Sequence, residues 1–314
     1  MSATLLVGSA SRSLARAVER DIGRRFATAT IERFPDGEVS VCLDDPVRGE
    51  EVIVLAATAP PVNDHLVELL ALADACRRAD AARIVAVVPY FGYARSDRRD
   101  GRRTPIMASL VAELAERAGI DHVVTLDVHT PAVEGFFRIP VDNLTAVPAL
   151  ATAVADHFAH AMDGSVIVAP DIGAVRLANR YARQLELPVA VCHKRRLGGS
   201  AVAVSRITGD VVARRCIIID DMISTGATIV ESVRALNEAG ALAGHVVAAT
   251  HAVLVPGALE KIGNAGVRNL FVTDSIEPRG DETARLVPTV VSIAPLLATA
   301  IGRLLEGGSL RELA

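Results

Sequence analysis

The chain has 314 residues, enough for two domains that each bury a core, with 51% hydrophobic and 22% charged residues, mean hydropathy +0.35 and a net charge of -4. No apolar run is long enough to span a bilayer, which leaves a soluble globular protein without a membrane partner. The negative balance argues against a general nucleic-acid binder, and 3% aromatics with no Trp leave little for stacking single-stranded bases.

The N-terminus, Met1-Ser2-Ala3-Thr4-Leu5-Leu6-Val7-Gly8, lacks a basic region before its apolar residues. It reads as a first strand and turn rather than a signal peptide. Cys42, Cys76, Cys192 and Cys216 have neither metal-ligand nor CxxC spacing. They read as reduced core residues of a cytoplasmic protein, without disulfides.

From Leu5 onward, short apolar runs alternate with helical patterns. Strands are expected at 52–57, 84–88, 123–126, 166–169, 189–192, 216–219, 246–249 and 270–272. Helices are expected at 13–23, 64–79, 105–118, 147–162, 174–185, 229–239 and 295–306. Alternation of this kind defines an α/β fold with largely parallel sheets flanked by helices. Two strand-loop-helix units, 84–118 and 216–239, look alike half a chain apart and suggest two similar domains, 1–146 and 147–314.

The loops between these elements carry the chemistry. Arg33-Phe34-Pro35-Asp36-Gly37-Glu38 contains a Pro-Asp-Gly turn. Taken by itself, Phe34 reads as a core anchor beside that turn. After the strand 84–88 comes Pro89-Tyr90-Phe91-Gly92-Tyr93-Ala94-Arg95-Ser96, opening a stretch with five arginines in nine residues, 95–103. Guanidinium forks match phosphate oxygens and aromatics accept stacking, which suits a polyphosphate bearing a ring; a solvated loop with arginines paired to Asp97 and Asp100 is the plain alternative.

Asp127 and His129 lie two apart beyond the strand 123–126, a spacing that puts both side chains on one side of an extended chain. Asp171 repeats the strand-end acid after 166–169. Several acids at successive strand ends, with a His, make a magnesium-phosphate pocket credible, because hard cations favour oxygen and substrate phosphates supply most ligands. His193-Lys194-Arg195-Arg196-Leu197-Gly198-Gly199-Ser200 reads either as a mobile basic flap over a transferring phosphoryl group or as a hairpin with solvent-facing cations.

The most specific stretch is Cys216-Ile217-Ile218-Ile219-Asp220-Asp221-Met222-Ile223-Ser224-Thr225-Gly226-Ala227-Thr228. A buried parallel strand ends on two carboxylates, where open α/β sheets bind ligands. The hydroxyl-rich turn then feeds a helix, so backbone N–H groups can converge on a phosphate. No Walker A ending is present. Carboxylates for sugar hydroxyls beside amides for a 5-phosphate is the logic of a phosphoribosyl site.

Together these motifs resemble the ribose-phosphate pyrophosphokinase family over nearly the full length, with Gly135-Phe136-Phe137-Arg138-Ile139-Pro140-Val141-Asp142-Asn143 matching as well. The resemblance implies two domains of the type I phosphoribosyltransferase fold. It also implies magnesium-dependent transfer of the diphosphate of ATP to the 1-hydroxyl of ribose 5-phosphate, giving AMP and phosphoribosyl diphosphate for nucleotide biosynthesis. Homo-oligomers, commonly hexamers with ATP sites completed by a neighbouring subunit, are implied too, as are phosphate activation and nucleotide inhibition that vary by class. By motif, Phe34, Asp36, Gly37, Glu38, Arg95 and Ser96 would hold ATP, and His129 and Asp171 would bind magnesium. Lys194 and Arg196 would be the catalytic flap residues. Arg196, Asp220, Asp221, Ser224, Thr225, Gly226, Ala227 and Thr228 would hold ribose 5-phosphate.

Three places depart from the family pattern: Ser96 where many members have Gln, Ser224 and Ala227 where bacterial members read Asp-Thr-Gly-Gly-Thr, and Leu197-Gly198-Gly199-Ser200 after the flap cations. They motivate the alternative of a non-catalytic regulatory paralogue. A type I phosphoribosyltransferase would share the Asp-Asp loop but explain only half the chain.

Overall fold

The computed structural model describes residues 3–99, 101, 103–159, 161–198, 201–277 and 284–314, with the backbone alone for 194–198, 201–203 and 205. The chain separates into two compact units.

The first unit runs through β1 (Ala3–Val7), α1 (Arg12–Ile22), β2 (Ala29–Arg33), β3 (Val39–Leu43), β4 (Glu51–Leu55), α2 (Val62–Arg78), β5 (Arg83–Val88), α3 (Met107–Ala118), β6 (His122–Leu126) and β7 (Val141–Leu144). Five strands form a parallel sheet in the order β1-β4-β5-β6-β7. Runs such as Val52, Ile53, Val54 and Leu55 are buried on both sides, as a parallel strand covered by helices requires. Leu6, Val54, Ala86 and Val123 meet Leu69, Leu72, Val111 and Ala115 of α2 and α3 in one apolar cluster. β2 and β3 form a separate antiparallel hairpin whose Ile31, Val41 and Leu43 pack against the same cluster.

The second unit contains α4 (Val147–His157), β8 (Ser165–Ala169), α5 (Val175–Leu185), β9 (Val189–Gly198), β10 (Ala201–Thr208), β11 (Arg215–Ile223), α6 (Ala227–Glu238), β12 (His245–Ala252), α7 (Ala258–Ala265), β13 (Val267–Thr273) and β14 (Thr289–Val291). Its sheet runs β10-β9-β8-β11-β12-β13-β14, antiparallel only between β9 and β10. Ile218, Val247, Ala249 and Val272 pack with Ile229, Val233, Leu259 and Ile262 of α6 and α7.

The last helix, α8 (Ala294–Leu305), departs from the expected division at residue 146. Residues 293–314 and Ser275–Glu277 group with the first unit, not with the domain 147–314, because α8 packs against α1. The strand expected at 216–219 is also longer, running to Ile223. The connecting stretch after Phe137 holds β7, and the hairpin strands β2, β3 and β10, the short edge strand β14 and the helix α7 add to the sequence reading.

Candidate active site

Chain order β8, β9, β11 against spatial order β9-β8-β11 means that the direction of strand addition reverses between β8 and β11. Connections leave on opposite sides at such a point and open a crevice at the carboxyl ends of the strands. The pairing register shows how. β11 stays hydrogen-bonded to β12 through Ile223, opposite Ala252, while its pairing with β8 ends at Ile218, opposite Val168. Asp220 and Asp221 therefore lie inside a strand, yet on the side where the β8 ladder has stopped.

Asp171, two residues beyond β8, accepts from the Ala174 N–H at 3.1 Å. The Asp221 N–H donates to Asp220 Oδ1 at 3.0 Å. Burial, followed by the negative charges of Asp221 and Asp171, pushes the Asp220 carboxyl well above the usual carboxylate range. Asp220 thus feels both neighbouring acids, and a group that supplies hydroxyl donors or positive charge would relieve the crowding.

Ser224, Thr225 and Gly226 link β11 to α6. Gly226 has φ +74°, and a Cβ there would lie 2.7 Å from Ile262 Cγ1, so both backbone and space demand glycine. Ala227 is the first helical residue and has no positive φ, so the missing second glycine of the family pattern costs the turn nothing. Gly226 at the N-cap of α6 has no side chain to cap it, and the Ala227 N–H reaches Thr225 Oγ1 at 3.4 Å, so the start of the helix carries N–H groups and the hydroxyls of Ser224, Thr225 and Thr228 in one turn, the makings of an anion cradle. The Leu254 N–H donates to the Ile223 carbonyl at 2.8 Å and the Val255 N–H to that of Ser224 at 3.1 Å, fixing the cradle from below.

Residues 193–198 lie in β9 and pair antiparallel with β10, an arrangement common to the flap and the hairpin readings. β9 carries Lys194, Arg195 and Arg196 opposite Val204, Ala203 and Val202 of β10. The side chains of Lys194 and Arg196, and residues 199–200 of the expected flap, lie outside the described residues.

In the first unit, Phe34, Asp36, Gly37 and Glu38 form the tip of the β2–β3 hairpin. The Phe34 N–H donates to the Glu38 carbonyl at 2.8 Å, the Glu38 N–H donates to Asp36 Oδ1 at 3.1 Å, and Gly37 has φ +95°. Phe34 is 49% exposed, which overturns its reading as a core anchor. Its ring is presented to solvent at a rigid turn.

Arg95 is exposed after β5, whereas Ser96 is turned inward. Its Oγ accepts from the Met107 N–H at 3.2 Å and donates to the Pro105 carbonyl at 3.4 Å, and its carbonyl accepts from the Ala108 N–H. Ser96 thus caps the start of α3. Asp100 and Arg102 of the arginine-rich loop lie outside the described residues.

Asp127 and His129 do not share a side. β6 ends at Leu126 and Asp127 turns with φ +37°, so strand alternation no longer applies. Asp127 is buried and accepts from Thr145 Oγ1 at 2.8 Å, while His129 is exposed. His129 belongs to the first unit and Asp171 to the second.

Asn63, Asp64 and Glu68 escaped the sequence reading, and Arg33 entered it only as the first residue of the hairpin motif. Glu68 is only 2% exposed and accepts from the Ser9 N–H and Oγ, both at 2.6 Å. A buried Glu inside the apolar pattern of α2 was the available signal.

The strand reversal, the acid cluster and the hydroxyl-rich turn into α6 define a phosphoribosyltransferase-type α/β enzyme. Residues 140–263 match the phosphoribosyl transferase domain and residues 3–119 the N-terminal domain of ribose phosphate pyrophosphokinase. Ribose-phosphate pyrophosphokinase of Cereibacter sphaeroides is 42% identical, covering 98% of this chain and 94% of its own. Ribose-phosphate pyrophosphokinase 1 of Lactococcus lactis is 42% identical over 95% of this chain and 91% of its own. The crystal structure of phosphoribosylpyrophosphate synthetase from Mycobacterium smegmatis superposes with a TM-score of 0.89 at 37% identity, covering 98% of this chain and all of that one. The chain belongs to the ribose-phosphate pyrophosphokinase family of enzymes.

Proposed function

We propose that the protein transfers the β,γ-diphosphate of ATP to the 1-hydroxyl of D-ribose 5-phosphate. The sugar oxygen bonds to the β-phosphorus as the bond from that phosphorus to the oxygen bridging to the α-phosphate breaks. The products are 5-phosphoribosyl 1-diphosphate and AMP. What supports the sugar half of this reading is the glycine-led, hydroxyl-rich N-terminus of α6 following Asp220 and Asp221 at the strand reversal. Backbone amides at 224–228 take the 5-phosphate while the two carboxylates accept the ring hydroxyls.

In the same reading the hairpin tip takes the nucleotide, with Phe34 against adenine and Asp36, Gly37 and Glu38 around it. Arg95 meets the phosphates, and Ser96 shapes the loop beside it. Lys194 and Arg196 neutralise charge that builds up during transfer. No covalent enzyme intermediate is needed, so positioning and charge neutralisation carry the rate.

Magnesium fits the donor set. Carboxylates so crowded that Asp220 is held above its ordinary range are oxygen donors a hard divalent cation favours. Asp171 and His129 would hold it; when bound, it neutralises triphosphate charge. Among the described residues no helix is long and apolar enough to cross a membrane. A cytoplasmic location and a homo-oligomer, hexameric as the family suggests, complete the reading.

The test is AMP and phosphoribosyl diphosphate formation from ATP and ribose 5-phosphate with magnesium, with and without phosphate. Stoichiometric products are expected. Folded protein that binds nucleotide without turnover under both conditions points to the regulatory paralogue instead. Lys194→Ala should lower kcat by at least about 100-fold while shifting KM for ribose 5-phosphate much less, because charge neutralisation acts in the transition state. Equal losses in both constants would contradict that role.

A further inference from the structure

In a regular strand successive carbonyls point alternately to the two neighbouring strands. At the end of β11 that alternation breaks. The Ile223 carbonyl accepts from the Leu254 N–H at 2.8 Å, and the next carbonyl, that of Ser224, accepts from the Val255 N–H at 3.1 Å, so both point toward the loop that follows β12. Both peptides are trans, and in a planar trans peptide the N–H points opposite to the carbonyl. The N–H groups of Ser224 and Thr225 are therefore turned the other way, to the side of β11 that β8 leaves unpaired beyond Ile218. Neither has an acceptor among the described residues. Two successive amides aimed into one crevice make a concavity for an anion.

The loop after β12 is built to hold those two donors in place, although no motif marks residues 253–257. Leu254 has φ +37°, a left-handed conformation that leucine adopts only where its surroundings impose it. Its half-buried side chain packs against the apolar cluster that contains Ile223, Leu259 and Ile262. Pro256 biases Val255 to extended backbone, and Gly257, at φ +78°, opens α7. The Ala258 N–H donates back to the Val255 carbonyl at 3.0 Å, which closes the loop on that helix. Ile262 of the same helix is the side chain that a Cβ on Gly226 would meet, so loop and helix support the turn together.

We infer that Leu254 and Val255 are positioning residues for the sugar phosphate. Their N–H groups hold two carbonyls back so that the amides of Ser224 and Thr225 face the 5-phosphate. They touch the turn rather than the ligand. This assignment rests on the reading of 224–228 as the 5-phosphate site.

Steady-state kinetics and calorimetric binding of ribose 5-phosphate by the full-length protein test it. Leu254→Val trims the side chain by one methylene but puts a β-branched residue where φ is positive, which such residues resist. It is expected to raise KM and Kd for ribose 5-phosphate about tenfold, the scale of a misaimed hydrogen bond to a charged group, while KM for ATP stays within about twofold. Leu254→Gly removes far more of the side chain yet accepts the left-handed backbone, and should raise the same constants only about threefold. Replacing Val255 by the matching α-hydroxy acid keeps its side chain and turns the N–H into an ester oxygen. That change should also raise both constants about tenfold, with melting within about 3 °C of wild type. Leu254→Gly at least as harmful as Leu254→Val would mean that packing alone is at stake, and overturns the assignment. So does unchanged binding in the ester, which decides the matter even where Leu254→Val does not fold. Wild-type protein that does not bind ribose 5-phosphate overturns the reading of the 224–228 turn and this assignment with it.

Discussion

At the scale of single residues, the sharpest signal is Asp220. Its carboxyl is held above the ordinary range by burial and by the charges of Asp221 and Asp171. The folded state then binds a proton more tightly than the unfolded chain, whose Asp titrates near about 3.9. Stability from this group is complete below that value and falls as pH rises through the higher folded pKa. Asp220→Asn removes the penalty, so its melting temperature should exceed the wild type by about 2 °C above that window and merge with it at low pH, while KM for ribose 5-phosphate rises. Melting curves across pH check the first part, and a constant offset at every pH would refute the titration account. The Asp pair was legible because two acids ending a β-branched run are a local pattern. Its coupling to Asp171, 49 residues earlier in the chain, depends on the sheet order and could not be read from spacing. Phe34 was misread for a related reason: whether a lone aromatic beside a turn faces in or out is decided by what the hairpin packs on.

At the scale of elements, parallel strands and amphipathic helices were legible wherever the apolar run was continuous, as in β5, β6, β8 and β11. Hairpin strands were harder: β2 and β3 are only five residues each and lack an Asn-Gly turn, and at 193–200 a hairpin was only one of two readings. Ser96 shows what this local blindness concealed. In sequence it occupies a nucleotide-side position; in the structure its hydroxyl closes the neck of the arginine-rich loop on the first turn of α3, accepting from Met107 N–H where Ile106 at the cap has no side-chain acceptor. Capping hydroxyls stabilise by about 1 kcal/mol. Ser96→Ala should therefore lower stability by about that amount in a denaturant titration, and Ser96→Thr should restore most of it. If Ser96→Ala leaves the midpoint unchanged, the bond to Met107 carries no weight.

At the scale of the whole chain, the sequence suggested a single division near residue 146, and the return of the last helix to the first unit could not be seen in it. Helix α8 buries Leu297, Ala300, Ile301 and Leu304, and α1 buries Leu14, Ala15 and Val18; the two pack together. Both patterns are ordinary amphipathic stripes, and a stripe says that a face is covered without saying by which helix. The backbone adds a second tie: the Thr145 N–H, just beyond β7, donates to the Leu313 carbonyl at 2.9 Å. The consequence is that a lesion near the C-terminus should weaken elements close to the N-terminus. Leu297→Ala removes a side chain that is 1% exposed, a change that costs about 2–5 kcal/mol where the site cannot collapse. Hydrogen exchange of the intact protein should then show faster opening in α1, β1 and β4, with β8, β11 and β12 close to wild type, since opening follows cooperative units rather than sequence neighbourhood. Protection lost chiefly in β13 and β14, the strands nearest to α8 in sequence, would instead assign the helix to the second unit and restore the division at residue 146.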